Sequence, residues 1–523
     1  MGQTIGIDFG TTNTVVSFKN KKGKIICLRD KDNSKSISTA LYFKTENEFV
    51  IGTEAISLAA ANNVEPIVSF KSRLNEQNER YNTKAMDGSR IRITPKKATG
   101  YFIAQIIKNV QDRIMREFGP AEGFIEKAVI TVPAKFSPSA KESIKDAAME
   151  AGLNNVELIF EPTAAAAAAY QSIETDKDEC TIIVYDFGGG TFDISIMKAT
   201  KVDSHIKYEQ VYTNGDKELG GNNVTLAIAE DILEKVNDEF DLDMEFDEDA
   251  KGLYRIIKED VYDGDLPYDI YRDNLRNIIN CAEDVKITYE SGDNLLNIRT
   301  ENGLEPYIYE FTIDDIEKII SPLIKRSIDI TKDSLKYAED NNITIDRIVL
   351  AGGSSNIPLV QKELEKYIPL DDDTLGEVTE LISKGAVVLN ENKLNEISNI
   401  TSCVFGTVAQ DGPIPDKFIP LIPINTALPT KVEKIFYLNS DNQEKLEVKV
   451  YEHDIQIYPK ANRAMSEGID VAKYSVINLP SGLKREDTEI KLTFIFERDG
   501  SLNIDVDIYS NKRLVHSDKM SMS

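Results

Sequence analysis

Two short segments of this chain share one layout: a strand-like run ending in Asp-Phe-Gly, a small polar turn, and a second strand-like run. The first is GIDFGTTNTVVSF at Gly6–Phe18, and the second is YDFGGGTFDIS at Tyr185–Ser195. Consecutive glycines weaken a strand, so a chain keeps them where the backbone needs unusual angles or where another group must approach it closely. The repetition therefore predicts a duplicated fold.

The turn of each segment has the chemistry of a phosphate site. CTIIVYDF is a nearly continuous apolar run, which predicts a buried strand, and TFDISIM alternates as the next strand. The first copy repeats this as a strand at Thr4–Phe9 and another at Thr14–Lys19. A turn without Cβ atoms lets an anion reach the backbone N–H groups. A single glycine hairpin is usually structural, but two matching turns predict a nucleotide held between the two halves.

A third glycine segment follows much later, in RIVLAGGSSNIPLVQKEL. The apolar strand Ile348–Leu350 runs into Gly352, Gly353 and Ser354, and then into an amphipathic helix. A glycine pair where a strand meets a helix allows a sugar or flat ring to lie against the backbone. We interpret it as an adenosine contact.

Composition excludes several classes of function. The 523 residues carry a net charge of −27, which argues against nucleic acid and anionic membranes as partners. Four separated cysteines without a CxxC pair and three histidines make a zinc site or a disulfide framework improbable. The chain begins without a basic, apolar leader and has no apolar run of about 18 residues. We expect a soluble, cytoplasmic monomer.

The glycine segments, in this order, resemble the 70-kilodalton heat-shock chaperone (DnaK) family of the actin-like ATPase superfamily. The likeness extends to five further segments: Val129–Leu153, Phe160–Tyr170, Thr213–Gly221, Asn425–Lys431 and Ser440–Glu452. It implies an α/β fold with a bilobed actin-like (duplicated ribonuclease-H-like) ATPase domain at 1–392, a linker at 393–403 and an all-β sandwich at 404–523. Because the sequence stops where the sandwich should finish, we expect no helical lid.

The resemblance also implies a site for ATP or ADP with Mg²⁺. Asp8 and Asp186 would hold the metal mainly through water, and Lys71 would supply positive charge at the γ-phosphate. Glu161 and Asp193 would orient the attacking water or the metal's hydration shell. The other nucleotide contacts that the family implies are Gly10, Thr11, Thr12, Asn13, Gly188, Gly189, Gly190, Thr191, Gly220, Gly221, Glu283, Lys286, Gly352, Gly353 and Ser354.

Two of these residues have ordinary structural explanations. Without the resemblance, Lys71 would be taken as a solvated surface lysine. Glu161 precedes Pro162 and an alanine run, where an acid favours a helix N-terminus in its own right. The alanine run itself predicts a helix that packs closely on the sheet.

The chain departs from the family pattern at the base and at the partner sites. Asn356 and Ile287 occupy the positions of two arginines that usually grip adenine, which predicts weaker nucleotide binding. Glu157 and Phe160 replace an arginine and an asparagine that usually receive a J-domain. The linker lacks the usual aliphatic run between aspartates, and the acidic run Asp238–Asp249 falls in the lobe that usually meets exchange factors. Both partnerships are therefore open.

In the C-terminal part, alternating strands and an RDGSL hairpin turn predict the sandwich. By family position, Phe436, Leu446 and Val448 would line a groove for unfolded or extended polypeptides, with sandwich core as the equal alternative. Gln410 would make the rim of that groove more polar.

The sequence thus predicts a Mg²⁺-dependent ATPase chaperone, with two alternatives open. One is an ATP-gated interaction module for a dedicated partner, and the other is a metabolite kinase of the same superfamily.

Overall fold

A computed structural model describes residues 2–62, 64–74, 80–120, 123–134, 136, 138–172, 177–203, 205–247, 253, 256–257, 261–370, 378–391, 396–411, 414–453 and 470–521. These residues form two compact units. The first consists of 1–182, 195–213 and 380–523, and the second of 183–194 and 214–379.

Strands account for much of the described chain. In order they are β1 (Gln3–Phe9), β2 (Asn13–Lys19), β3 (Ile25–Cys27), β4 (Ile37–Ser38), β5 (Leu41–Phe43), β6 (Phe49–Ile51), β7 (Tyr81–Lys84), β8 (Arg90–Ile93), β9 (Ile125–Val132), β10 (Val156–Phe160), β11 (Glu179–Phe187), β12 (Phe192–Val202), β13 (His205–Asp216), β14 (Gly292–Thr300), β15 (Gly303–Phe311), β16 (Arg347–Ala351), β17 (Glu396–Ser398), β18 (Val404–Asp411), β19 (Ile414–Ile422), β20 (Thr430–Tyr437), β21 (Lys445–His453), β22 (Asp470–Asn478), β23 (Thr488–Phe496), β24 (Leu502–Ser510) and β25 (Arg513–Ser521).

The α-helices of the described residues lie between these strands. They are α1 (Thr53–Ala61), α2 (Pro95–Phe118), α3 (Pro138–Glu150), α4 (Glu161–Ser172), α5 (Gly221–Phe240), α6 (Tyr268–Thr288), α7 (Ile313–Asp340), α8 (Pro358–Leu364) and α9 (Leu381–Glu391). None of them is long and apolar enough to cross a membrane.

The N-terminal part of the first unit is built on a mixed sheet. Its strand order is β10-β9-β1-β2-β3, with β4 also pairing with β2. β1 and β2 are antiparallel and joined by the predicted turn, whereas β9 and β10 run parallel to β1 and to each other. The sheet and helices α2 and α3 bury one apolar core. The predicted strand–turn–strand layout of the first segment is therefore confirmed.

The alanine run forms helix α4, as expected, but its closest partner is another helix. Ala164, Ala165, Ala166 and Ala167 are all fully buried. A Cβ on Gly385 of α9 would collide with the carbonyl oxygen of Ala164. The small side chains therefore let two helix backbones approach each other, as well as helping α4 fit the sheet.

The C-terminal part of the first unit is a sandwich of two antiparallel sheets. Their strand orders are β19-β18-β21-β22 and β20-β23-β24-β25. Phe405 and Phe496, one from each sheet, pack with ring centroids 4.6 Å apart. The RDGSL turn joins β23 to β24, with Gly500 at φ +74° and its N–H donating to the carbonyl of Glu497 at 3.0 Å. The predicted sandwich strands and hairpin are confirmed.

Within this unit the sandwich rests on the N-terminal part. The Ser402 hydroxyl donates to the carbonyl of Ala134 at 2.9 Å. Asn399 accepts from the Thr163 hydroxyl at 3.0 Å and donates to the carbonyl of Arg498 at 3.1 Å. Part of the predicted linker, β17, pairs in parallel with Lys207–Glu209 of β13, and residues 393–395 lie outside the described residues. The domain limits at 392 and 403 stay a prediction.

A second sheet has the strand order β16-β11-β12-β13-β17. β11 ends at Phe187 and β12 begins at Phe192, so the second predicted strand–turn–strand segment is also confirmed. The strand predicted around Ile348 is β16, and it leads through a short 3₁₀ turn at Gly353–Asn356 into helix α8.

The second unit also contains the hairpin β14–β15 and helices α5, α6 and α7. It carries nearly all of the net charge of the chain. Its segments, 183–194 and 214–379, contain 42 of the 88 acidic and 17 of the 61 basic side chains, a net charge of −25 out of −27.

Candidate functional site

The turn after β1 is built so that its backbone can fold tightly. A Cβ on Gly10 would collide with the carbonyl oxygen of Asn13. Thr39 holds the turn from outside: its hydroxyl donates to the carbonyl of Gly10 at 2.9 Å, and its N–H donates to the carbonyl of Thr12 at 2.7 Å. The hydroxyls of Thr14 and Thr39 are also 2.9 Å apart. The predicted phosphate turn, which also includes Thr11, is therefore fixed before any ligand arrives.

Lys71 is a buried residue. Its side chain is 5% exposed, and its Nζ lies 3.0 Å from Oε1 of Glu161, whose side chain is 9% exposed. The rings of Phe9 and Phe136 lie 5.8 and 5.6 Å from the same Nζ, within the range of cation–π attraction. The surface-lysine interpretation is therefore wrong. Glu161 is the first residue of α4, so it is a helix N-terminal acid and an ion-pair partner at once.

Asp8 completes a group of charged side chains in the first unit. Loss of hydration and then the Glu161 carboxylate raise the pKa of Asp8 to about 7, against the opposing effects of Lys71 and Thr131. The Thr131 hydroxyl lies 3.3 Å from Oδ1 of Asp8. When Asp8 is ionised, two carboxylates and one ammonium leave this group with an excess of negative charge, which a cation would neutralise.

In the second unit, three glycine segments meet around the turn after β11. The N–H of Gly188 donates to the carbonyl of Thr191 at 3.0 Å, closing the turn. The N–H groups of Gly221 and Asn222 donate to the carbonyls of Gly188 and Gly189 at 2.9 and 2.8 Å. A Cβ on Gly220 would lie 2.5 Å from the carbonyl carbon of Gly190. The predicted segments 188–190 and 220–221 therefore touch backbone to backbone.

The third segment closes on the same turn. The Ser354 hydroxyl donates to the carbonyl of Gly188 at 3.0 Å. Gly352 has φ +75°, and a Cβ there would lie 2.5 Å from both Oδ1 of Asp186 and the carbonyl oxygen of Phe187. Only glycine allows this approach. A Cβ on Gly353, in contrast, would meet no other atom within 4 Å.

Asp193 is also in this unit. It is 8% exposed, and a Cβ on Gly215, which has φ +150°, would lie 3.1 Å from its Oδ1. The segment Thr213–Gly221 therefore contacts the start of β12 at Gly215 and the turn itself at Gly220 and Gly221.

Glu283 and Lys286 form a small polar network between α5 and α6. Oε2 of Glu283 lies 2.6 Å from Nζ of Lys286 and accepts from the Thr225 hydroxyl at 2.5 Å. Nζ of Lys286 also lies 2.9 Å from that hydroxyl and 3.5 Å from the carbonyl of Gly221. These two predicted nucleotide contacts therefore lie beside the glycine segment at 220–221. Ile287 is 68% exposed, and Asn356 is exposed as well.

The residues at the altered J-domain positions have local partners in the first unit. Glu157 forms an ion pair with Lys127. Phe160 is buried, and Nζ of Lys141 lies 4.4 Å from the centre of its ring. An aromatic contact with a cation therefore occupies the place where the family usually has a polar side chain.

The predicted polypeptide contacts have different environments. Val448 is 2% exposed and belongs to the apolar core, whereas Phe436 and Leu446 are half-buried and pack against that core. The side chain of Gln410 lies outside what the structure describes. Val448 therefore has the environment of a sandwich-core residue, the alternative to a polypeptide contact.

Several residues that support the site were missed in the sequence. Thr39, Thr131, Thr225 and Phe136 lie at unremarkable positions, and each acts through a partner at least 29 residues away or on another element. Thr131 and Phe136 lie in the family-like segment Val129–Leu153, but nothing in the sequence singles them out. The pairing of β1 with β9 identifies Thr131, the pairing of β2 with β4 identifies Thr39, and the approach of α5 to α6 identifies Thr225.

The described residues contain no group of three or more His, Cys, Asp or Glu side chains placed to hold a metal directly. The predicted site residues fall in separate units: Asp8, Lys71 and Glu161 in the first, and Asp186, Thr191 and the glycine segments at 188–190, 220–221 and 352–353 in the second.

Comparison with known proteins gives a consistent result over almost the whole chain. The family model described as Hsp70 protein matches residues 4–261 and 265–517. Two curated relatives, each named chaperone protein DnaK and each from a strain of Halobacterium salinarum, are 26% identical to this chain over 514 residues. The alignment covers 96% of this chain and 72% of each relative. Neither the kinase nor the dedicated-partner alternative receives support from these relatives.

Proposed function

This chain belongs to the Hsp70 family, and from that premise we propose that it is a Mg²⁺-dependent ATPase that couples nucleotide turnover to the binding of extended polypeptide segments. The observation that carries the proposal is the buried pair of Lys71 and Glu161 beside Asp8. Burying charged side chains is costly, so such a group is kept where chemistry needs it.

The residues of the first unit fit a magnesium nucleotide. Asp8 has a carboxylate with a raised pKa next to a second carboxylate, an arrangement that a divalent cation stabilises. Lys71, held between two aromatic rings and Glu161, has a fixed position and can neutralise charge that develops on a phosphoryl group. Glu161, anchored at a helix N-terminus, would orient a water molecule for attack.

The residues of the second unit fit the phosphates and the sugar. The turn at 188–191 presents backbone N–H groups without Cβ atoms, and the backbone contacts at Gly220 and Gly352 keep side chains out of the same space. Asp186 would share the hydration shell of the metal, and Thr191 would donate its hydroxyl to a phosphate. Glu283 and Lys286 would contact the ribose from the helix beside this turn.

When bound, Mg²⁺ would neutralise the charge of the phosphates and lower the cost of phosphoryl transfer. The role left to the protein is positioning. In the first unit, Lys71 and Glu161 would fix positive charge and an attacking water, and their burial would strengthen each electrostatic contact. In the second unit, the N–H groups of the turn at 188–191 would bind phosphate oxygens.

The sandwich would supply the polypeptide site, with Phe436 and Leu446 as its apolar contacts. Both are half-buried, so part of each side chain is still available to a ligand. Val448 would support them from the core. Cochaperones of the J-domain and exchange-factor classes are possible partners by family membership, but the altered positions 157 and 160 argue for a modified J-domain contact.

The proposal is tested by single-turnover hydrolysis of ATP by the full chain with Mg²⁺. Lys71→Ala should lower the rate by about 10²–10³-fold, the loss expected when one fixed donor to a developing oxyanion is removed. Lys141→Ala is the matched control, because Lys141 is also a buried lysine of the same unit but contacts Phe160. An unchanged rate in the Lys71 variant, or equal losses in both variants, would refute the assigned role.

A further inference from the structure

In the second unit, the groups proposed to hold the phosphates and the sugar are bonded to one another. A Cβ on Gly221 would collide with the hydroxyl of Ser354, and the carbonyl of Gly221 lies 3.5 Å from Nζ of Lys286. Glu283 holds that ammonium at 2.6 Å, and Ser354 donates its hydroxyl to the carbonyl of Gly188 at 3.0 Å. The sugar of a bound nucleotide would therefore meet groups whose positions are already fixed.

The base of the nucleotide would lie just beyond these groups, because it is attached directly to the sugar. Two side chains border that place. Ile287 follows Lys286 on α6, and Asn356 ends the short turn two residues after Ser354. Ile287 is 68% exposed and its side chain has no polar atom, and Asn356 is exposed as well. The two side chains beside the base are therefore uncharged and open to water.

The neighbouring polar side chains at positions 288, 289 and 355 are turned to the protein. The hydroxyls of Thr288 and Ser355 each donate to the carbonyl four residues earlier, at 2.7 and 2.5 Å. Burial raises the pKa of Tyr289 to about 12, so its hydroxyl is withdrawn from water. Asn356, in contrast, makes no side-chain hydrogen bond to any residue that the structure describes. Its amide is therefore free to meet a base.

An amide that can rotate does not distinguish one purine from the other. It has an acceptor oxygen and a donor NH₂ group, side by side. Adenine presents an amino donor beside a ring nitrogen acceptor, whereas guanine presents a carbonyl acceptor beside a ring N–H donor. Turning the amide by about 180° exchanges its donor and acceptor and so matches either edge. The contact with Ile287 depends on the area of the ring that it covers, which is similar for the two purines.

Strong discrimination between similar ligands needs buried polar groups that the wrong ligand leaves unpaired. At an exposed position, water replaces a hydrogen bond that the base fails to make, so a mismatch costs little. Asn356 is in this situation, whereas Glu283 and Lys286 are held by each other and by α5. The contacts with the sugar and the phosphates, rather than those with the base, would decide what binds.

We propose that the nucleotide site of this chain accepts purine nucleoside triphosphates of either base, so that ATP and GTP are bound and hydrolysed alike. Asn356 meets the edge of either base by turning its amide, and Ile287 covers the ring without selecting it. This inference rests on the proposed nucleotide function and adds to it the class of substrate.

The test is equilibrium dialysis of the full chain against ATP and against GTP, both with Mg²⁺, followed by single-turnover hydrolysis of each nucleotide. The two dissociation constants and the two rates should each agree within about tenfold. Binding or hydrolysis of ATP that is better than that of GTP by more than this would overturn the inference and leave the proposed ATPase standing. Failure of both nucleotides to bind would refute the proposed function and, with it, this inference.

Asn356→Asp tests the contact with the base. The variant keeps the shape of the side chain but leaves only acceptors, which suit the ring N–H and the amino group of guanine together, and only the amino group of adenine. The added charge weakens both nucleotides, but the ratio of GTP to ATP affinity should rise at least about fivefold. Because the position is exposed, the far-ultraviolet circular dichroism spectrum should not change. An unchanged ratio would refute the role of Asn356.

The matched control is Asn302→Asp in the turn between β14 and β15, which adds the same charge to an exposed residue of the same unit. Its ratio of GTP to ATP affinity should stay within about twofold of that of the unmodified chain. Ile287→Ser should weaken ATP and GTP by the same factor, because it removes only ring contact. A change of ratio in the control as large as in Asn356→Asp, or loss of one nucleotide alone in Ile287→Ser, would contradict the proposal.

Discussion

Lys71 and Glu161 should contribute unequally to the free energy of unfolding. Both are buried, and their charged atoms are 3.0 Å apart. Removing one partner of a buried ion pair leaves an uncompensated charge and typically costs about 3–5 kcal/mol. The pair is not isolated, however, because Asp8 interacts with both residues, unfavourably with Glu161 and favourably with Lys71.

The two single variants should therefore differ. Lys71→Met leaves Glu161 buried without its cation and removes the attraction that lowers the pKa of Asp8, so Asp8 takes up a proton; we expect a loss within that range, about 3–5 kcal/mol. Glu161→Gln leaves Lys71 beside Asp8 and removes a repulsion, so we expect a loss of about 1–3 kcal/mol, near that of a lost charged hydrogen bond. The double variant should cost less than the sum of the two by about 0.5–3 kcal/mol.

The assay is urea unfolding at pH 7.5 without nucleotide and with a chelator, so that neither ligand stabilises the folded chain. Lys141→Met tests whether any buried lysine of this unit gives the same result. A larger loss for Glu161→Gln than for Lys71→Met, or strict additivity in the double variant, would show that the three charges do not act as one group.

Three further predictions concern Gly352, Cys27, and Ile287 together with Asn356. Gly352→Ala should weaken ATP binding measured by calorimetry, because its Cβ would collide with Asp186 and with the backbone of Phe187. Gly88→Ala is the control: Gly88 has φ +86°, but a Cβ there would meet no atom within 4 Å, so ATP binding should be unchanged. Equal affinities of the two variants for ATP would contradict this prediction. Burial raises the pKa of Cys27 from 9.0 to about 11. The neutral thiol therefore makes its full contribution to the free energy of unfolding below pH 9. That contribution is lost as the pH rises from 9 to 11, by at most about 1.4 kcal/mol per pH unit. Cys27→Ala should remove that part of the stability–pH slope, and an unchanged slope would refute the assignment. Replacing both Ile287 and Asn356 by Arg should tighten ATP binding about tenfold or more, since each cation–π contact contributes about 0.5–2 kcal/mol; no change would mean that other groups hold the base.

Local patterns in the sequence were enough to predict the strands and turns that carry the site. The strands around the two Asp-Phe-Gly segments, the strand at Ile348 and the RDGSL hairpin lie within a few residues of their expected positions. Each is a short-range signal, apolar alternation interrupted by glycine, and glycine acts locally because it changes the backbone angles of its own position. What each residue touches is a different question.

Burial of charge could not be read from the sequence. Lys71 stands in VSFKSRL, which has no regular pattern, and it is buried because Phe9, Phe136 and Glu161 come from three distant segments. The packing of the alanine helix on α9 was missed for the same reason, since Gly385 is 221 positions after Ala164 and only the folded chain brings them together.

The net charge can be counted from the sequence, but its distribution between the two units is known only from the fold. A net charge of −27 over 523 residues only indicates an acidic protein. Once the two units are known, −25 of it falls in the second unit, which contains the β14–β15 hairpin and the glycine turn at 188–191. An acidic unit repels phosphate at a distance, so the N–H groups of that turn would have to act against the surrounding field. Bringing Mg²⁺ with the nucleotide lowers the negative charge that must enter, and for this reason we expect the magnesium complex to bind this chain much more tightly than free ATP. Titration with ATP in the presence of a chelator tests this, and equal affinities with and without Mg²⁺ would mean that the charge of the unit does not reach the nucleotide.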